Sequence, residues 1–239
     1  MFPVLRHFRV LKNLPEAEGV FTLLLAPADE QPLFSFQAGQ FAMLHLLNDD
    51  GTTWAKAAYS FATAPSDSTD TIEFGIKVSG DFTQRASRLT PGEIVGIQGP
   101  YGVFTLKTED EPLVFLAAGI GITPLRSMIR DLLFKKDVRD LYVFYSDKNE
   151  ACLAYRKEFE EFARQYSHFH FIPFLTRETS ETWMGERGRI TGEAVKRYLS
   201  TLQSAHYYMC GPVEFMNTLK EFLVGQGVDS KTQIQKEVF

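Results

Sequence analysis

The chain has 239 residues, 44% hydrophobic and 23% charged, with a formal net charge of −5. That length suits one large domain or two of ordinary size, and the composition is that of a globular protein with a full core. The acidic balance argues against a nucleic-acid binder, and two distant cysteines, Cys152 and Cys210, supply neither a disulfide framework nor a zinc or four-cysteine iron–sulfur site.

The first residues show no apolar secretory core and no apolar run is long enough to span a bilayer, so a cytoplasmic protein with no membrane partner is expected. Short segments rich in aromatic and branched residues follow: Phe8–Leu11, Val20–Leu25, Phe41–Leu46, Tyr59–Thr63, Thr71–Val78 and Ile94–Gln98. Turn clusters such as Leu14-Pro15-Glu16, Asn48-Asp49-Asp50-Gly51 and Thr90-Pro91-Gly92 separate them. That spacing predicts an antiparallel β-barrel or sandwich, interrupted by one helix over Thr83–Leu89. The polar stretch Thr108-Glu109-Asp110-Glu111-Pro112 marks a junction, dividing the chain into 1–108 and 109–239.

Beyond the junction the pattern changes to alternating strand and helix, predicting an α/β domain with a parallel sheet. Leu113–Ala118 is an unbroken apolar run, the signature of a strand buried on both faces. Leu125, Met128, Ile129, Leu132 and Leu133 then repeat with helical spacing. Between them lies Gly119-Ile120-Gly121-Ile122-Thr123-Pro124, a glycine turn leading into a helix N-terminus, where backbone N–H groups suit a phosphate. The turn lacks the third glycine of the Rossmann fingerprint; Pro124 stands there, comfortable in a first helical turn. Further expected elements are strands at Leu141–Tyr145, His168–Leu175, His206–Met209 and Thr232–Phe239. Expected helices cover Ala151–Ala163, Thr191–Leu199 and a segment opened by Pro212.

A barrel followed by an α/β domain with this Gly-x-Gly-x-x-Pro turn resembles the ferredoxin–NADP reductase family. Four more stretches carry the likeness: Lys56-Ala57-Ala58-Tyr59-Ser60-Phe61, Gly80-Asp81-Phe82-Thr83, Gly99-Pro100-Tyr101-Gly102, and Met209-Cys210-Gly211-Pro212 together with Glu237-Val238-Phe239. The resemblance implies an FAD-dependent oxidoreductase using NADPH, with NADH as the alternative donor. It implies flavin contacts from Tyr59, Ser60, Phe61, Gly80, Phe82, Thr83 and Phe239. Ala57 stands where the family places a phosphate-binding arginine, and Lys56 or Arg85 is the candidate replacement. Gly119, Gly121, Thr123, Pro124 and Gly211 would receive the nicotinamide dinucleotide, and Arg177 and Arg189 the 2′-phosphate. Ser60, Cys210, Glu237 and Phe239 would surround the hydride path. No metal site is expected. Electrons would pass to a separate ferredoxin, flavodoxin or oxygenase component. A free-flavin reductase and a non-catalytic nucleotide-binding subunit are the alternative readings.

Overall fold

A computed structural model describes residues 3–66, 70–107 and 110–238. Its contacts divide the chain into two units, the first comprising Met1–Leu106 with Arg126–Asp137 and the second Lys107–Leu125 with Val138–Phe239.

The first unit contains β1 (Arg6–Ala17), β2 (Val20–Pro27), β3 (Phe41–Leu47), β4 (Thr53–Ser60), β5 (Ile72–Lys77), helix α1 (Asp81–Ala86) and β6 (Ile94–Tyr101). The strands form one antiparallel sheet in the order β4-β3-β6-β1-β2-β5. A bridge between Phe61 and Phe74 joins its two edges, so the sheet curls into a barrel. Alternation puts Phe8, Val10, Leu23, Leu25, Ala42, Leu44 and Leu46 inside. Each such aliphatic or aromatic side chain contributes roughly 1.5–3 kcal/mol by leaving water.

Two expectations for this unit are corrected. Leu14-Pro15-Glu16 is not a turn: β1 runs through Pro15, which pairs only with β2, so its missing N–H breaks no second ladder. The strand expected at Tyr59–Thr63 lies earlier, at Thr53–Ser60, because its Ala-Lys-Ala-Ala stretch carries little strand propensity and is held by pairing with β3.

The second unit contains β7 (Leu113–Ala118), α2 (Ile122–Phe134, whose residues from Arg126 onward count with the first unit) and β8 (Leu141–Asp147). It continues with α3 (Arg156–Gln165), β9 (Phe169–Leu175), β10 (Glu186–Arg187), α4 (Gly192–Lys196), β11 (His206–Cys210), α5 (Val213–Gly225) and β12 (Ile234–Glu237). All strand pairs are parallel, in the order β10-β9-β8-β7-β11-β12. From β7 the chain winds outward through β8 to β10, then returns to β11 on the other side of β7. The carboxyl ends of β7 and β11 are therefore the switch point, where open parallel sheets receive ligands.

The helix expected over Ala151–Ala163 starts later, at Arg156. Asn149 caps a short turn at Glu150–Cys152, the Ala154 N–H is donated to the Tyr145 hydroxyl, and Tyr155 takes a left-handed φ of 58°. The helix expected at Thr191–Leu199 is shorter, with the Thr191 hydroxyl accepting from the Ala194 N–H as its cap. Of the junction residues, Thr108 and Glu109 lie outside the described residues. Among those described, no helix is long and apolar enough to cross a membrane, and no cluster of metal-ligating side chains occurs.

Candidate functional site

In the first unit the site is built on β4, an edge strand hydrogen-bonded through its ladder only to β3. Residues paired across an antiparallel ladder share a face. Ala42 pairs with Tyr59, Leu44 with Ala57 and Leu46 with Ala55, so Ala57 and Tyr59 lie on the core side. His45 pairs with Lys56 and Phe41 with Ser60, which places Lys56 and Ser60 on the opposite face. Lys56 therefore lies on the face opposite to that of Ala57. The half-buried Ser60 is the last residue of β4, so a flat ligand meets both Ser60 and Tyr59 only at that strand end.

Tyr59 stacks on Phe82 at 5.9 Å between centroids, and Phe82 on Trp54 at 6.4 Å. Burial pushes the Tyr59 phenol up to about 12, so it stays neutral at physiological pH. The Arg85 guanidinium lies 4.7 Å from the Trp54 ring centroid and donates from Nη2 to the Leu47 carbonyl at 2.6 Å. Phe61 is fully buried among Phe34, Phe36 and Phe74 and donates its N–H to the Gln40 carbonyl, so it belongs to the core. The buried Thr83 hydroxyl accepts from the Ser79 and Gly80 N–H groups and donates to the Gly80 carbonyl. Its job is to lock the turn that holds Phe82 in place.

Helix α2 is fastened to the segment just past β4. Arg126, buried, donates to the Ala62 carbonyl at 3.0 Å and to Glu73 at 2.6 Å, and the Ser127 hydroxyl donates to the Thr63 carbonyl. Sequence reasoning missed this pair and Trp54. The available signals were two polar residues inside an apolar helix and a tryptophan among threonines and alanines.

In the second unit the glycine turn sits at the switch point. Gly119 has a φ of 57°, and a side chain there would meet only the Asp147 carboxylate at 4.0 Å. Its open side leaves room for a ligand to approach the backbone closely. Gly121 differs: a Cβ there would collide with the Cys210 carbonyl. It is glycine so that the turn can press against the end of β11. The N-terminus of α2 follows at once, with no acidic residue in its first turn. The buried Thr123 hydroxyl donates to the Ile120 carbonyl and holds the turn closed, and Pro124 fills the first helical turn.

Cys210 pairs in register with Ala117 on one side and Glu237 on the other. Burial, reinforced by the Glu237 charge, pushes the Cys210 thiol well up, so it remains S–H rather than a nucleophilic thiolate. Burial pushes the Glu237 carboxyl up to about 7. Gly211 lies against Ala118 and Phe215. Phe239 lies outside the described residues.

Arg177 and Arg189 follow the ends of β9 and β10. Leu175 of β9 pairs with Arg187 of β10, and each arginine lies two residues beyond. Both are exposed, with no hydrogen bond or ion pair to their guanidinium groups among the described residues. Arg187, by contrast, is spent on the carbonyls of Glu178 and Ser180. Asp147, which sequence reading passed over, ends β8 beside Gly119 and accepts the Thr176 N–H through its carbonyl.

A parallel sheet with a glycine turn at its switch point, joined in one chain to an antiparallel barrel with an aromatic edge, defines a class of two-unit dinucleotide-dependent reductases. Residues 115–221 match the family described as "Oxidoreductase NAD-binding domain". The chain is 36% identical over 209 residues to the phenol hydroxylase P5 protein of Acinetobacter pittii, covering 84% of this chain and 56% of that one. It is 30% identical over 227 residues to the propane 2-monooxygenase reductase component of Mycolicibacterium goodii, covering 92% and 63%. It thus spans little more than half the length of these curated relatives. The crystal structure of a Malassezia yamatoensis flavohemoglobin with bound FAD and heme superposes with a TM-score of 0.85 and 27% identity, over 99% of this chain and 60% of that one. The chain belongs to the ferredoxin–NADP reductase-like family of flavoprotein reductases.

Proposed function

We propose that this chain is the reductase part of an electron-transfer system, drawing on NADPH and FAD and serving a separate acceptor such as an oxygenase component, a ferredoxin or a flavodoxin. The observation that carries the reading is the Cys210–Glu237 pair at the switch point, against which Gly121 presses the dinucleotide turn. A binding subunit without turnover has no need of a thiol and a half-buried carboxyl paired in register beside a glycine turn. The names of the relatives favour the same reading, since one is the reductase component of a monooxygenase.

The residues present fit both groups. Gly119 and the N–H groups opening α2 would take the nicotinamide cofactor's diphosphate, while Tyr59 and the end of β4 would take the flavin ring. Bound flavin accepts a hydride from a nicotinamide and releases electrons one or two at a time. The protein's own part is to hold Cys210 as a neutral S–H, to place the Glu237 carboxyl beside it, and to exclude water with the buried ends of β7 and β11. Arg177 and Arg189 support NADPH as donor, since exposed guanidinium groups without a partner among the described residues suit a 2′-phosphate.

Oxidation of NADPH with ferricyanide, with FAD supplied, tests the activity, and the same assay with NADH tests the preference. Turnover that depends on FAD is expected, with Arg177→Ala raising KM about 10- to 100-fold for NADPH and little for NADH. FAD-independent or absent turnover overturns the reductase reading; a wild type preferring NADH overturns the role of the arginines.

A further inference from the structure

Resting on the reading that the first unit holds flavin, we propose that Arg85, braced against Trp54, receives the diphosphate of FAD, with Trp54 carrying the adenine. A dinucleotide flavin brings two negative charges that need a cation on the side where its ring lies. On the core-side face of β4, position 57 is an alanine, and the register turns Lys56 away. Helix α1 supplies the charge instead. Phe82 and Arg85 are three residues apart and share one face of α1. Since Phe82 stacks on Tyr59, that face is the one adjoining Tyr59.

Tyr59, Phe82 and Trp54 form a continuous array, and Arg85 sits at its outer end over the Trp54 ring. With the ring at Tyr59, Arg85 would hold the trailing diphosphate and Trp54 would carry the adenine. The half-buried guanidinium is pre-set: Nη2 is tied to the Leu47 carbonyl and the group lies over the indole, while Nε and Nη1 have no partner among the described residues and keep their donors for an anion. A cation already fixed loses little freedom when the anion arrives. Trp54 remains 43% exposed, an unusual outlay of aromatic surface on an edge strand and a ready platform for a purine.

Titration of the full chain with FAD, FMN and riboflavin, followed by flavin fluorescence and by tryptophan quenching, tests this. Riboflavin has the ring and its ribityl chain, FMN adds one phosphate, and FAD has the diphosphate with adenosine. Arg85→Gln, which keeps a donor for Leu47, is expected to weaken FAD about 10- to 100-fold and to leave riboflavin unchanged. It should also flatten the salt dependence of FAD binding. Trp54→Phe should weaken FAD but not FMN and remove the quenching, the only other tryptophan being Trp183 in the second unit. Adding Ala57→Arg to Arg85→Gln should restore FAD affinity from the same face of β4. Equal FAD affinity in wild type and Arg85→Gln overturns the proposal, as does parallel weakening of FAD and riboflavin. A wild type that binds no FAD overturns the flavin reading itself, and this assignment with it.

Discussion

Gly119 and Gly121 stand two residues apart and are glycines for different reasons. Gly119 needs its left-handed φ and faces open space, whereas Gly121 needs the missing side chain because the Cys210 carbonyl occupies that volume. Gly119→Ala should cost about 1 kcal/mol of stability from backbone strain and weaken NADPH binding, because its methyl enters the approach to the turn. Gly121→Ala should cost more, about 1–3 kcal/mol, by forcing the turn away from β11 and carrying Cys210 with it. Thermal melts paired with NADPH titrations check this: the stability loss should be larger at 121, and at 119 the affinity loss should exceed what the melt explains. The sequence alone, reading Gly-Ile-Gly, gives both the same task, since a glycine's neighbours across the fold are invisible in the chain.

At the scale of elements, α2 is buried nearly all round, with Leu125, Arg126, Ser127, Met128 and Ile129 each shielded from water. Polar residues on such a helix survive only with partners, and Arg126 and Ser127 find theirs on Ala62, Thr63 and Glu73. Glu73→Ala should destabilise by about 2 kcal/mol, less than the loss of a fully buried pair because the Ala62 carbonyl remains; Glu73→Gln should lose less. Urea unfolding of the two variants checks the order. The barrel was legible from short strands set off by turn clusters, and the strand-turn-helix of β7 and α2 from an unbroken apolar run followed by a 3.6-residue period. What escaped was set by contacts far along the chain. Ala151 to Tyr155 has helical composition, yet the Tyr145 hydroxyl takes the Ala154 N–H and delays the helix. Thr53 to Ala58 has weak strand composition, yet β3 organises it. Among the candidate site residues, Lys56 and Phe61 have suitable chemistry, but strand alternation and burial turn their side chains elsewhere.

For the molecule as a whole, the half-buried Glu237 makes stability depend on pH. Its carboxyl holds a proton more tightly folded, at about 7, than the ordinary value of 4.5 expected of the unfolded chain. The stabilisation is therefore full below about 4.5 and fades as pH rises to about 7. Glu237→Gln should match the wild type at pH 4, gain on it through that window, and lead by about 1–2 kcal/mol above pH 7, allowing for the screening of a partly exposed group. Melting curves at several pH values check this; a constant gap between the two proteins would show that Glu237 ionises normally. The division of α2 has another consequence. The first unit is discontinuous in the chain, since Arg126–Asp137 returns to it after the second unit has begun. No single cut separates the two. Ending the chain at residue 107 strips the barrel of the partners of Glu73 and Thr63, and of the Met128 methyl that lies over Gly39. Recombination that shuffles such reductases between larger proteins must therefore move both units as one cassette, with the helix passing intact from parent to progeny.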